Sequence, residues 1–188
     1  MDHFGEDELY QKALAYAKEK YKGLFREGIK LPYICHPENV VSILRLSGYD
    51  EFNGNEDIFI SALLHDVLEE TSTEVSEIEN LFGKKVAGIV LELTKPEELT
   101  KEDWLERFTD FSKEAKIVKL ADRIDNLRSM ETWRIYFPEE RVARYREQAK
   151  TILRTCGDAS TGLYTKLFNM IYYHMIYFSD LKKNIWLW

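Results

Sequence analysis

His65-Asp66 sets an imidazole beside a carboxylate at the end of an apolar run, Ile60-Ser-Ala-Leu-Leu64. Burying such groups is costly unless something pairs with them. Neighbouring helix positions point about 100° apart, yet side chains at a helix end can still reach one ion. His36 just before Pro37, Asp122 and Asp125 are further donors that could complete a nitrogen and oxygen ligand set. Imidazole and carboxylate without thiolate suit a borderline or hard divalent ion such as Mn²⁺, Fe²⁺ or Zn²⁺. Such an ion lowers the pKa of bound water and polarises a phosphoryl oxygen, which is the chemistry of phosphate-ester hydrolysis. Taken alone, His65-Asp66 reads more readily as a helix-end salt bridge, and Asp122 beside Arg123 as an ordinary ion pair. Their company is what points to metal.

Glu69 lies four residues after His65, and Glu70 four after Asp66. On one continuous helix they share a face with the ligand candidates. A carboxylate there can orient water or take its proton. Negative charge at a helix C-terminus is disfavoured, so the pair demands a compensating cation.

The elements that must position these groups are helical almost throughout. Leu9, Ala13, Tyr16, Ala17 and Tyr21 form one apolar stripe. Val40, Ile43, Leu44 and Ser47 form another, behind Pro37 at a first-turn position that tolerates proline. Asn55-Glu56-Asp57 reads as a cap and acidic first turn for a helix through Ile60, Leu63, Leu64 and Val67, continuing to Glu69 and Glu70. Thr73 is expected to cap the next helix and Gly83 to close it, before an apolar run from Val86 to Leu93. Thr100-Lys-Glu-Asp103 has the form of a capping box. Long helices are expected at roughly 114–133 and 138–155, and an aromatic one at about 160–181. With four prolines, nine glycines and no period-2 segment, the expectation is an all-α helical bundle. No linker or repeat divides residues 1–188, so a single domain is expected.

A net charge of −7 argues against a nucleic-acid partner, which needs a basic face, while local Lys and Arg clusters can still receive a small anion. Cys35 and Cys156 make no disulfide framework, and no signal peptide is evident, so a cytoplasmic location is expected. The stretch Leu167 to Phe178 is too short and polar to span a bilayer, so no membrane partner is expected. Cys35 and His174 read as packed side chains, and His3 as part of a frayed terminus. The tail Ile185-Trp-Leu-Trp188 most simply covers the core, or anchors a homodimer.

Several short motifs also occur together and in register. They are Pro32-Tyr-Ile-Cys-His-Pro37, Ala62-Leu-Leu-His-Asp66, Glu69-Glu-Thr71, Phe82-Gly83, Leu93-Thr-Lys95, and Lys119-Leu-Ala-Asp-Arg123 with Asn126. Over roughly residues 9–149 the chain resembles the hydrolase domain of RelA/SpoT homologues, an all-α HD fold. The resemblance implies one Mn²⁺ held by His36, His65, Asp66 and Asp122. It implies hydrolysis of the 3′-pyrophosphate of ppGpp or pppGpp, giving GDP or GTP and pyrophosphate. Glu69 and Glu70 would take the place of the acidic pair that activates water. Arg26 matches an arginine that stacks on guanine, Asn126 a nucleoside contact, and Arg141 with Tyr145 a substrate-binding pair, while Lys95 is a candidate phosphate contact. The extent of the chain suggests a small stand-alone hydrolase, similar to the metazoan SpoT homologues and their bacterial counterparts.

Departures from the family pattern fall at Glu70 in place of aspartate, at Tyr21 and Leu24, and at Asp125, where many members have histidine or an aromatic. The extra methylene of Glu70 shifts its carboxylate and with it the rate or metal preference. Two rival readings stay open. One is an HD phosphohydrolase acting on another nucleotide, such as a nucleoside monophosphate, a dNTP or NADPH. The other is a degenerate HD module that binds nucleotide or protein without turnover, against which the costly ligand cluster argues.

Overall fold

The computed structural model describes the backbone of residues 4–50 and 54–184, and the side chains of residues 8–50 and 54–172. His3, the His174 side chain and the tail 185–188, with the packing and dimer expectations that rest on them, lie outside the described residues. Among those residues the chain forms α1 Phe4–Lys20, α2 Cys35–Arg45, α3 Glu56–Leu64, α4 Val67–Glu70, α5 Val75–Leu93, α6 Lys101–Glu106, α7 Lys113–Thr132, α8 Glu139–Cys156 and α9 Thr161–Asn184. No strand is present among them; the one β-type contact is an isolated bridge between Phe25 and Pro32. The all-α expectation holds.

Helix α3 is the hub. It packs against α1, α2, α5 and α7, and every residue from Ile58 to Leu64 is buried. Each large apolar side chain sealed this way contributes about 1.5–3 kcal/mol, so the helix is fixed by its surroundings more than by propensity. The stripes read from the sequence face this hub: Ala13, Ala17 and Tyr21 of the α1 side, and Val40, Ile43 and Leu44 of α2, are all buried. Helix α7 is buried nearly all round, and its inner positions include Lys116, Lys119, Asp122, Arg123 and Asp125. Five charged residues inside one helix are tolerable only if they neutralise one another.

Some local expectations need correction. Glu69 and Glu70 do not continue the helix that carries His65. Helix α3 ends at Leu64, Asp66 takes φ −103°, ψ 0°, and α4 starts afresh at Val67. Thr73 does not cap α5, because the helix starts one residue later behind Glu74 and the Thr73 hydroxyl accepts from Thr71 Oγ1 at 2.8 Å. Thr100 does cap α6: its hydroxyl oxygen accepts from the Asp103 N–H at 3.1 Å. Gly83 closes the first part of α5 as expected, with φ 88°, ψ 164°, and a second helical part then runs to Leu93.

That conformation is one only glycine adopts without strain, and an added Cβ meets nothing within 4 Å. Gly83→Ala should therefore lose about 1–3 kcal/mol of stability from the backbone alone. Chemical denaturation reads this directly; an unchanged midpoint would mean the kink relaxes freely.

Candidate active site

His36 occupies the first turn of α2 and His65 follows the last turn of α3. Packing of α2 on α3 brings their Nε2 atoms to 3.2 Å. The other nitrogen of each ring is occupied. His65 Nδ1 lies 2.9 Å from the Ala62 carbonyl, and His36 Nδ1 lies 2.7 Å from Asp125 Oδ2. A carbonyl oxygen only accepts, so His65 Nδ1 carries a proton and, in the neutral ring, its Nε2 presents a lone pair. Two ring nitrogens facing one another at this distance need a proton or a metal ion between them.

Carboxylates surround that point. Asp66 Oδ2 is 3.1 Å from His65 Nε2 and 3.6 Å from His36 Nε2, while Asp122 Oδ1 is 3.2 Å from His36 Nε2 and 3.9 Å from His65 Nε2. Ligand atoms of His36, His65 and Asp66 all fall within 4.8 Å of one another, which is a group able to hold a divalent metal ion. Neutral imidazole and carboxylate donors, each with a supported outer face, fit such an ion. Tyr33 donates to Asp66 Oδ2 at 2.7 Å, Lys119 Nζ is 2.8 Å from Asp122 Oδ2, and Asn126 Nδ2 donates to Asp122 Oδ1.

These charges hold one another in place. Burial disfavours the His36 imidazolium, but hydrogen bonds to Asp122 and Asp125 outweigh it and raise the pKa to about 9. Burial also opposes ionisation of Asp66 and Asp122; His65 in the first case and Lys119 in the second reverse this and keep both well below the usual carboxylate range. Glu70 goes the other way, raised by partial burial and then by the Asp66 charge. A carboxylate poised upward is better suited to accept a proton near neutrality.

One cleft collects most of the residues singled out from the sequence. Arg26, His36, Asp66, Glu69, Glu70, Asp122, Asn126, Arg141 and Tyr145 line it, and buried His65 abuts it through His36 and Asp66. Glu69 Oε1 accepts from the Lys95 backbone N–H at 2.6 Å, so the compensation its position demands comes from a main-chain amide. Arg26 donates to Asp125 Oδ2 at 2.7 Å, Ser129 Oγ at 2.9 Å and Asn126 Oδ1 at 2.9 Å. Its guanidinium edge is thereby pinned, which leaves the flat face for stacking. Arg141 is clasped by Glu27 at 2.7 Å, with Phe137 and Tyr145 beneath it.

Lys95 is not among the lining residues. Its ammonium donates to the Pro96 and Leu99 carbonyls at 2.8 and 2.9 Å, closing its own turn rather than facing the cleft. Lys101, Lys119 and Arg123 line the wall beside the metal group instead. Lys101 lies 4.2 Å above the Trp104 ring, and burial followed by the Lys119 charge lowers its pKa to about 8. Arg123 is 2% exposed, rests 4.7 Å over Tyr145, and has no hydrogen-bond partner for Nε and one terminal nitrogen. A signal for two of them was present: positions 119, 122, 123 and 126 share one face of α7 at three- and four-residue spacing.

The HD domain family model matches residues 13–153, which hold the histidines, the aspartates and most of the cleft. This chain belongs to the HD domain family. Among HD relatives, the guanosine-3′,5′-bis(diphosphate) 3′-pyrophosphohydrolase MESH1 of Drosophila melanogaster is 32% identical over 168 residues, covering 84% of this chain and 90% of its own length. MESH1 of Xenopus tropicalis is 36% identical over 174 residues, covering 86% and 92%. The solved structure of a metazoan orthologue of SpoT that hydrolyses ppGpp superposes with a TM-score of 0.76 at 31% identity, covering 86% of this chain and 93% of that one. No helix among the described residues is long and apolar enough to cross a membrane.

The shifted groups give a pH profile for protein stripped of metal by EDTA. His36 is raised from 6.5 to about 9, so its contribution is complete below 6.5 and fades as pH rises through 9. Asp66 and Asp122 are depressed from 3.8, so theirs is complete above 3.8 and fades as pH falls through their lower folded-state values. Stability should therefore be greatest between these limits and decline toward pH 9, as thermal melts across a buffer series would show. A melting temperature still rising from pH 7 to 9 would contradict the His36 assignment.

Proposed function

We propose that this chain is a metal-dependent (p)ppGpp 3′-pyrophosphohydrolase, converting ppGpp to GDP and pppGpp to GTP with release of pyrophosphate. The observation that carries this is the juxtaposition in one cleft of an acidic two-histidine centre and a cationic wall of Lys101, Lys119 and Arg123. The names and coverage of the relatives support the guanosine substrate over other nucleotides. His36, His65, Asp66 and Asp122 are the residues that hold the ion, Mn²⁺ in this reading, and the ion supplies Lewis acidity at a phosphoryl oxygen and acidifies water.

The remaining steps belong to side chains. Glu70 takes the proton of the attacking water on its carboxylate, Glu69, fixed by the Lys95 amide, orients that water, and the P–O bond to the ribose 3′ oxygen breaks, that oxygen taking up a proton to become the 3′-hydroxyl of the product. Arg26 offers its face to the guanine, and Asn126 contacts the nucleoside. Lys101, Lys119 and Arg123 bind the pyrophosphate charge, with the unpartnered nitrogens of Arg123 as ready donors. Arg141 and Tyr145 complete the phosphate contacts, Arg141 exchanging Glu27 for substrate oxygen.

Incubation with ppGpp and Mn²⁺ should yield GDP and pyrophosphate, and EDTA should abolish turnover. Release of inorganic phosphate only, or no product, would sink the assignment. His65→Ala should lose both bound metal and activity. Lys101→Met should lower kcat/KM by about 10- to 100-fold, the range for one lost charge-assisted contact, with metal content unchanged; the corresponding Lys95→Met should have little effect. Equal losses at the two lysines would place the phosphate elsewhere.

A further inference from the structure

Asp125 is the one carboxylate of this region that no part of the mechanism uses. Its side chain is wholly buried, and it does not line the cleft. Its Oδ2 receives two short contacts at once: His36 Nδ1 at 2.7 Å and Arg26 NH1 at 2.7 Å. Its Oδ1 accepts from Arg128 at 3.2 Å. One buried oxygen thus touches both a proposed metal ligand and the arginine proposed to stack on the base.

We infer that Asp125 is the positioning residue of the metal centre, locking His36 with Nε2 toward the ion while fastening Arg26 to the same carboxylate. This rests on the reading of His36 as a ligand. An imidazole that donates Nδ1–H to a carboxylate cannot flip its ring and is a stronger donor at Nε2. His65 has only a backbone carbonyl behind it, so the two histidines are unequal and His36 is the better donor. The negative charge behind His36 also offsets the positive charge gained when an ion binds in front of it. Because Arg26 shares the oxygen, loosening Asp125 loosens the metal and the nucleotide together, although Asp125 touches neither.

The test uses the full chain and the near-isosteric Asp125→Asn. Calorimetric titration with Mn²⁺ alone should show affinity weakened by about 10- to 100-fold, the range for outer-sphere partners of metal-bound histidine. Arg128→Gln, which removes only the half-exposed partner at Oδ1 and leaves both Oδ2 contacts, should stay within about threefold of the parent. In ¹⁵N-labelled protein loaded with Zn²⁺, the His36 Nδ1–H proton should resonate far downfield and move upfield in Asp125→Asn, while the His65 ring proton stays in place. Parental Mn²⁺ affinity in Asp125→Asn, or an Arg128→Gln loss as large as that of Asp125→Asn, would overturn the positioning role. So would the absence of a downfield His36 proton in the parent protein, a measurement that stands even if the variant does not fold. A parent chain that binds no Mn²⁺ would instead overturn the metal reading beneath it.

Discussion

Two imidazole nitrogens held 3.2 Å apart and turned toward each other form the constraint on which the rest of the structure depends. Such an arrangement is unfavourable without a proton or a metal ion between the rings, and side chains left to themselves would rotate away from it. They do not, because each ring is gripped from behind, by the Ala62 carbonyl in one case and the Asp125 carboxylate in the other. Those grips are rigid because α3 is sealed by apolar residues on every side. The hydrophobic core thus supplies the energy that keeps a polar site in an otherwise unfavourable geometry.

Helix α7 answers the same constraint from the opposite wall. It brings Lys119, Asp122, Arg123 and Asp125 into the interior, where single charges would be prohibitive and a balanced set is not. The balance is also spatial. Asp122 faces the histidines, Lys119 and Arg123 face the space a phosphate chain would fill, and Asp125 faces away from the cleft. One helix accordingly divides the cleft into an acidic end and a basic wall. The break after Leu64 does similar service for α3 and α4, turning Asp66 toward the centre while Glu69 and Glu70 stay at the rim.

Much of this was legible from residue types alone. The stripes of α1 and α2, the cap at Thr100 and the adjacency of His65 to Asp66 follow from helical spacing and the cost of burying polar groups. The continuous helix through Glu70 was not, because the interruption arises from Asp66 turning toward the centre rather than from any glycine or proline. Lys101 was missed for a specific reason. It is the first residue of α6, where the helix dipole disfavours a cation, so sequence logic assigns it to the surface. The Trp104 ring three residues on gives it a seat that no local rule anticipates. Asp125 was visible as a possible ligand, yet only the packing of α2 on α7 shows that it stands behind His36.

The bond from the Lys95 amide to Glu69 carries a consequence for position 95. A carboxylate at the rim of the cleft is anchored by a main-chain group, and every amino acid except proline brings that group with it. The ammonium of Lys95 serves only its own turn. The anchor of Glu69 therefore asks of position 95 only a backbone N–H, while the lysine of the Leu93-Thr-Lys95 motif answers to the turn that its ammonium closes.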